Sequence, residues 1–267
     1  MSFSFSFSCG EGWSSRLAAA DAPTTGPTTA TLRPATEHAL TEIHQEAAAW
    51  PVEEVPVPGN SNVKPLRKRL LPEARLATLL EAEALPAGEQ SPAASGDMSN
   101  SDLLRDVYEG GFKLWECARD LLQVISEDES RGELKLRGAS VLEVGCGAGL
   151  PGMLTMQLGA AELLLQDFNP GVLRAVTMPA LQLNSLWARA EAGDVRLLGG
   201  DWTRVSARLS RETTSNSAGG SCLQALFPDS SSRPAGFDLI LTADTIYSVE
   251  ATPRLWNLIR EQALLAI

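Results

Sequence analysis

Apolar positions along the chain fall into two textures that meet near Ser101. From Met1 to about Asp97, phrases such as "APTTGPTTATLRP" and "WPVEEVPVPGNSNVKP" hold neither a helical nor a strand period. So little apolar surface does not offset the entropy of ordering a chain, which predicts a largely disordered N-terminal region over residues 1–97. Beyond it, "DVYEGGFKLWECARDLLQVI" places Leu114, Ala118, Leu121 and Ile125 on one helical face, entered from a turn at Gly110 and Gly111. Short apolar runs then alternate with helical stretches. Val141 to Val144 reads as a first strand, "LPGMLTMQLG" as a helix and Leu163 to Gln166 as a second strand, with Asn169 and Pro170 as N-cap and first residue of the next helix. "DVRLLGGDW" supplies a third strand, "FDLILTAD" a fourth and "TPRLWNLIREQALLAI" a last helix, with a Ser/Gly-rich loop over 210–236 before the fourth strand. This alternation predicts crossover units and a parallel sheet, an α/β domain over 98–267.

Composition narrows the partners. With 33 acidic against 22 basic residues and a net charge of -11, the chain is ill suited to gripping nucleic-acid phosphates and better suited to a basic protein. Cys9, Cys117, Cys146 and Cys222 lack CxxC spacing, and the only histidines are His38 and His44, so neither a zinc site nor a disulfide framework is indicated. A reducing compartment follows. "MSFSFSFSCG" lacks a basic leader and an apolar core, and no apolar stretch reaches 18 residues, so neither secretion nor a membrane span is expected. Two N-terminal features stand out. Phe3, Phe5 and Phe7 alternate as an added edge strand would, or form a sticky terminus, and "KPLRKR" (64–69) reads as a nuclear-import signal or as a solvated basic run.

The densest chemistry lies in "SVLEVGCGAGLPG", where four glycines follow an apolar run. A glycine-rich turn between the first strand and helix of a parallel sheet lets a ligand lie against bare backbone, with amide N–H groups facing it. From Gly147 the stretch satisfies GxGxxG, and Asp167 follows twenty positions on, as in nicotinamide sites. The apolar run stops at Val144, however, so Gly145 is the first turn residue and the triplet becomes Gly145, Gly147 and Gly149 after Glu143: ExGxGxG. Asp167, ending the second strand, is placed to accept hydrogen bonds from ribose hydroxyls or to cap a helix. Asp201 and Trp202 follow the third strand, where they would read an adenine edge and face, although Trp202 also suits a core. Cys146 in the turn reads as a small filler.

ExGxGxG resembles motif I of the seven-strand S-adenosylmethionine-dependent methyltransferases. Taken with "YEGGFKLWECA" and "LTADTIY", it resembles the eukaryotic protein-histidine methyltransferases, relatives of a lysine-directed family whose fourth strand ends in DxxY. The likeness runs from about Ser101 to Glu250, with Phe-x-Phe-x-Phe as a fainter echo. It implies a Rossmann-like class I sheet, S-adenosylmethionine as cofactor, a histidine of a large-subunit ribosomal protein as substrate, a monomer, and a nuclear, nucleolar and cytoplasmic location. By position it implies cofactor contacts from Lys113, Leu114, Trp115 and Glu116, from Glu143, Gly145, Gly147 and Gly149, from Gln166, Asp167 and Phe168, from Gly200, Asp201 and Trp202, and from Thr242. Asp244 and Tyr247 match DxxY, implying catalytic roles. Without the resemblance, Trp115 would be core, Glu116 a helix-start charge and Asp244 a helix cap.

Seven strands are expected and four are legible before Ile267, so the sheet is expected to be C-terminally incomplete, with the fourth strand at an edge. Alternatives to a histidine methyltransferase are therefore a truncated, non-catalytic form that binds cofactor or partners, and a nicotinamide-dependent oxidoreductase.

Overall fold

The computed structural model describes residues 32–83, 108–215, 226–227 and 236–263. Phe3, Phe5 and Phe7 and most of the Ser/Gly-rich loop lie outside them. The main sheet contains β1 (Thr36–Glu37), β4 (Ser140–Val144), β5 (Glu162–Asp167), β6 (Val195–Gly199) and β7 (Leu239–Thr242), in the order β1-β6-β5-β4-β7. The last four are parallel, and β1 is antiparallel to β6. Every residue of β4 and β5 is buried, so these strands read as continuous rather than alternating apolar runs. All four strands expected from the apolar runs form.

Helices cover both faces. They are α1 (Glu73–Glu83), α2 (Glu116–Ser130), α3 (Leu150–Gln157), α4, α5 (Trp187–Glu191), α6 (Trp202–Ser215) and α7 (Thr252–Gln262). The α4 run begins at Pro170–Val172, widens to a π turn over Leu173–Thr177 and resumes as Met178–Leu183. One hydrophobic cluster, including Leu122, Ile125, Val141, Leu154 and Leu165, lies on one side of the sheet. A second, including Leu142, Leu164, Val205, Phe237 and Leu258, lies on the other. The expected apolar face faces the core, with Ile125 buried and Leu114 and Leu121 packed against the first cluster, widened by the buried Leu122 and Ser126, while Leu114 and Ala118 also border a cleft.

The N-terminal region departs most from expectation. Residues 33–83 fold onto the same core instead of remaining without structure. A hairpin of β2 (Val52–Val55) and β3 (Leu66–Arg69) buries Val55 and Leu66, and Ala47, Trp50 and Leu79 join the first cluster. A side chain distant in sequence satisfies the hairpin's edge: Asn184 Oδ1 accepts from the Arg67 amide at 2.9 Å, and Asn184 Nδ2 donates to the Arg67 carbonyl at 2.7 Å. The apolar residues are too few and too widely spaced to show a period, yet each fills a place the C-terminal part provides. His38 is buried and hydrogen-bonds Glu42 at 2.8 Å rather than lying in a loose segment. Within "KPLRKR", Leu66–Arg69 is a strand, Lys68 is buried 3.4 Å from Glu53, and Arg69 donates to the Trp50 carbonyl.

At the far edge β7 pairs with β4 alone among the described strands. After α7 the chain returns to this edge, where Ala263 forms a parallel bridge with Phe237 and the Phe237 amide donates to the Gln262 carbonyl at 2.8 Å.

Candidate active site

A cleft of about 840 Å³, counted out to its open mouth, lies at the C-terminal ends of β4, β5 and β7. Ligands of open α/β sheets bind in this position, because strand ends and helix starts present free backbone groups there. Its floor is the turn after β4. Gly147 has φ 50°, and a Cβ there would lie 3.2 Å from the Gly111 carbonyl, so two stretches of backbone approach with no side chain between them. The Gly147 amide donates to Asp167 Oδ2 at 2.9 Å, and Asp167 Oδ1 accepts from the Asn169 amide at 2.9 Å. The π turn in α4 contributes Thr177, whose hydroxyl donates to the Gly147 carbonyl at 2.6 Å.

Under the turn, Glu143 is buried, with only its edge reaching the cleft. Its Oε2 accepts from the Gly152 amide at 2.7 Å. Burial, with a smaller contribution from the nearby Asp167 charge, raises its carboxyl to about 8 against the bond from Gly152. A Cβ at Gly152 would sit 2.7 Å from that carboxylate oxygen, so any side chain there would displace Glu143. Cys146 is also buried, and desolvation raises its thiol well above the ordinary value, consistent with a filler rather than a nucleophile.

The walls come from distant parts of the chain. Glu109, Gly110, Gly111, Lys113, Leu114 and Trp115 form one side, with the Lys113 ammonium 4.7 Å from the Trp115 ring centre and Trp115 Nε1 donating to the Gly110 carbonyl at 3.0 Å. Phe168, Asp201 and Trp202 lie behind. Asp244 and Tyr247 complete the rim from the segment after β7. Asp244 adopts the left-handed conformation at φ 56°. It is exposed and raises the Cys117 thiol by accepting its hydrogen bond. It does not cap α7, whose N-cap is Ala251. The Tyr247 hydroxyl donates to Glu109 across the cleft, and partial desolvation at the rim followed by that carboxylate pushes the phenol upward.

Of the predicted site residues, Lys113, Leu114, Trp115, Glu143, Gly145, Gly147, Asp167, Phe168, Asp201, Trp202, Asp244 and Tyr247 line this one cleft. Five support it from outside. Gln166 is buried, accepting from Trp202 Nε1 at 3.1 Å and donating to the Gly200 carbonyl at 2.9 Å. Thr242 donates to the Val144 carbonyl at 3.1 Å, which ties β7 to β4. Gly149 starts α3 against Leu165 and Thr177, Gly200 passes close to the Pro34 carbonyl, and Glu116 opens α2. Asn169 precedes the helix as expected, but its Oδ1 accepts from the Glu109 amide at 3.1 Å instead of capping.

Sequence reasoning missed Glu109, Thr245 and Arg254. Arg254 Nη1 donates to the buried Asp201 carboxylate at 2.7 Å, and Asp201 Oδ1 accepts from the Thr203 amide at 2.8 Å. Asp201 therefore starts α6 and pairs with α7. No local pattern marks Arg254, because its partner lies 53 positions earlier. Glu109 was within reach, since it directly precedes the two glycines of "YEGG".

No protein-family profile matches the chain. Among curated proteins it is 33% identical over 162 residues to a histidine protein methyltransferase 1 homolog of Dictyostelium discoideum, covering 61% of this chain and 42% of that protein. To the homolog of Bos taurus it is 36% identical over 158 residues, covering 56% and 39%. To that of Rattus norvegicus it is 31% identical over 236 residues, covering 81% and 56%. The chain thus spans about half the length of the curated relatives it matches.

Proposed function

Because the chain belongs to the histidine protein methyltransferase family, we propose that its cleft binds S-adenosylmethionine and that the protein methylates a histidine side chain of a protein, a basic large-subunit ribosomal protein in the first instance. The observation that carries this reading is the hydrogen bond joining the bare turn at Gly147 to Asp167 at the tip of β5. That bond sets side-chain-free backbone and the Asp167 carboxylate against one small volume, with the turn amides of Gly145, Cys146 and Gly147 already tied to β5, so an adenosine can lie close to the turn with its ribose beside the carboxylate. Gly145 and Gly147 would hold the amino-acid tail, Asp167 the ribose, and Phe168 and Trp202 the base. When bound, the cofactor supplies a methyl group already activated on a sulfonium.

The protein's own work is alignment, and orienting two reactants can supply on the order of 7 to 11 kcal/mol. A lysine nucleophile, with a pKa near 10.4, would first have to lose a proton, whereas a histidine near 6.5 is largely neutral at pH 7. The site therefore needs no strong base. It needs to fix the tautomer. Asp244, on the rim, accepts the N–H of the ring nitrogen that is not attacked, which leaves the lone pair of the other nitrogen free. Tyr247 packs beside the ring. The acidic balance of the chain favours a basic substrate surface.

Calorimetric titration with S-adenosylhomocysteine and with NAD tests the cofactor. Binding of the first and not the second is expected, and the reverse result would replace this reading with an oxidoreductase. Incubating the full-length protein with labelled cofactor and ribosomal protein, followed by peptide mass analysis, tests the substrate. Label on histidine supports the reading, and label confined to lysine refutes it.

A further inference from the structure

The hydroxyl of Tyr247 donates its only proton to Glu109, although the two residues are 138 positions apart and approach from opposite sides of the cleft. Glu109 is not there by chance of side-chain packing. Its amide donates to Asn169 Oδ1 at 3.1 Å, and the Asn169 amide donates to Asp167 Oδ1 at 2.9 Å. A line of hydrogen bonds thus runs from the carboxylate that braces the glycine turn, through the backbone of Glu109, to the rim tyrosine.

A phenol has one proton and an oxygen that also accepts. With the proton committed to a carboxylate, that oxygen can only accept from a third partner. Resting on the function proposed above, we infer that Glu109 is a positioning residue for methyl transfer: it holds the Tyr247 hydroxyl as an acceptor-only group facing the substrate imidazole. Tyr247 then shares with Asp244 the single N–H of the neutral ring, and is prevented from donating to the nitrogen whose lone pair must attack. Were Glu109 neutral and amide-bearing, its N–H could donate to the phenol oxygen, and the phenol proton would turn toward the substrate and mask the nucleophile. The rim would change from selecting the reactive tautomer to blocking it.

Several charges face Tyr247. Glu109 and Asp167 favour the protonated phenol, Arg254 of α7 opposes them, and Asp244 and Lys113 line the same cleft. Tyr247 itself is 45% exposed, and the partial desolvation of its hydroxyl at the cleft rim acts in the same direction as the two carboxylates. The chain has only two tyrosines, Tyr108 and Tyr247, so the phenol can be followed directly.

The test uses the full-length protein and its Glu109→Gln, Glu109→Asp, Tyr247→Phe and Glu109→Gln/Tyr247→Phe variants. Ultraviolet titration, with the Tyr247→Phe spectrum subtracted, should show the Tyr247 phenol ionising at lower pH in Glu109→Gln than in wild type. On a histidine peptide, Glu109→Gln should lower kcat about tenfold to a hundredfold with KM changed less than threefold. Glu109→Asp should recover part of the loss, and the double variant should be no slower than Tyr247→Phe. An unchanged phenol titration, or effects of Glu109→Gln and Tyr247→Phe that multiply, overturns the role of Glu109 while leaving the methyltransferase reading intact. Absence of histidine methylation by the wild type overturns both.

Discussion

The Gly147 amide lies 2.9 Å from Asp167 Oδ2, which makes the turn after β4 and the tip of β5 one hydrogen-bonded unit. The same turn passes under the Gly111 carbonyl and receives the Thr177 hydroxyl on its own carbonyl. Four separate segments meet at one residue without a side chain. The floor of the cleft is therefore a property of packing as much as of the glycine motif.

Gly147→Ala should show this. The new Cβ would stand 3.2 Å from the Gly111 carbonyl in a left-handed conformation that alanine rarely adopts. A loss of about 1 to 2 kcal/mol is expected. The wall at 108–115 should also be displaced, so differential scanning fluorimetry should find both a lower Tm and no added shift with S-adenosylhomocysteine.

Glu143 makes stability depend on pH. Its carboxyl, ordinarily near 4.5, is raised to about 8 by burial. Between those values the folded protein holds a proton that the unfolded chain has released. Stability is accordingly full below about pH 4.5 with respect to this group and is lost as the pH rises toward 8, at about 1.4 kcal/mol per unit. Glu143→Gln, which mimics the protonated acid, should flatten that slope in urea unfolding curves measured from pH 5 to 8 and make the variant the more stable protein at pH 8.

Asn184 tests whether residues 33–83 are integral to the fold. It satisfies both backbone groups of Arg67 and also donates to the Ala180 carbonyl at 2.8 Å. Asn184→Ala would remove this partner from the part-buried Arg67 amide and carbonyl, at a cost of about 1 kcal/mol. Limited proteolysis should then cut between Trp50 and Arg75 well before the sheet is attacked.

The Arg254 and Asp201 pair joins α7 to α6 at the back of the cleft. Asp201 is almost wholly buried and Arg254 largely so, which makes removal of one partner more costly than replacing both. Arg254→Met should destabilise by about 3 kcal/mol, and Asp201→Asn in the same chain should restore part of that loss. Chemical denaturation of the single and double variants measures the coupling.

What was legible in the sequence was what repeats locally. Leu163 to Gln166 announced β5 by an unbroken apolar run, and the glycines announced the turn because no other residue type is that dense without a reason. The phase of the run, ending at Val144, also placed the turn correctly. The hairpin over 52–69 was illegible because β3 packs on the Met178–Leu183 part of α4, more than a hundred residues away, and its proline-rich flanks mimic a linker. Gln166 and Thr242 were expected to touch the cofactor, yet they hold the walls rather than line them. Arg254 was missed for a related reason. An ion pair between two helices leaves no spacing signal in either one.

Asp244 is the sharpest test of the chemistry. Its backbone is left-handed at φ 56°, a conformation that asparagine tolerates as well as aspartate, so Asp244→Asn changes the charge and the acceptor without straining the turn. Stability should stay within about 0.5 kcal/mol of wild type, as for an exposed position. Cofactor binding should also persist, because Asp244 lies on the rim and not against the glycine floor. Methyl transfer should nonetheless fall about tenfold to a hundredfold, the worth of a hydrogen bond to a charged acceptor, since the amide can present an N–H where the ring needs an acceptor. Selectivity between the two ring nitrogens should fall with it. Single-turnover kinetics and mass spectrometry of the methylated peptide measure both, and an undiminished rate with unchanged selectivity would show that the ring is oriented by another group.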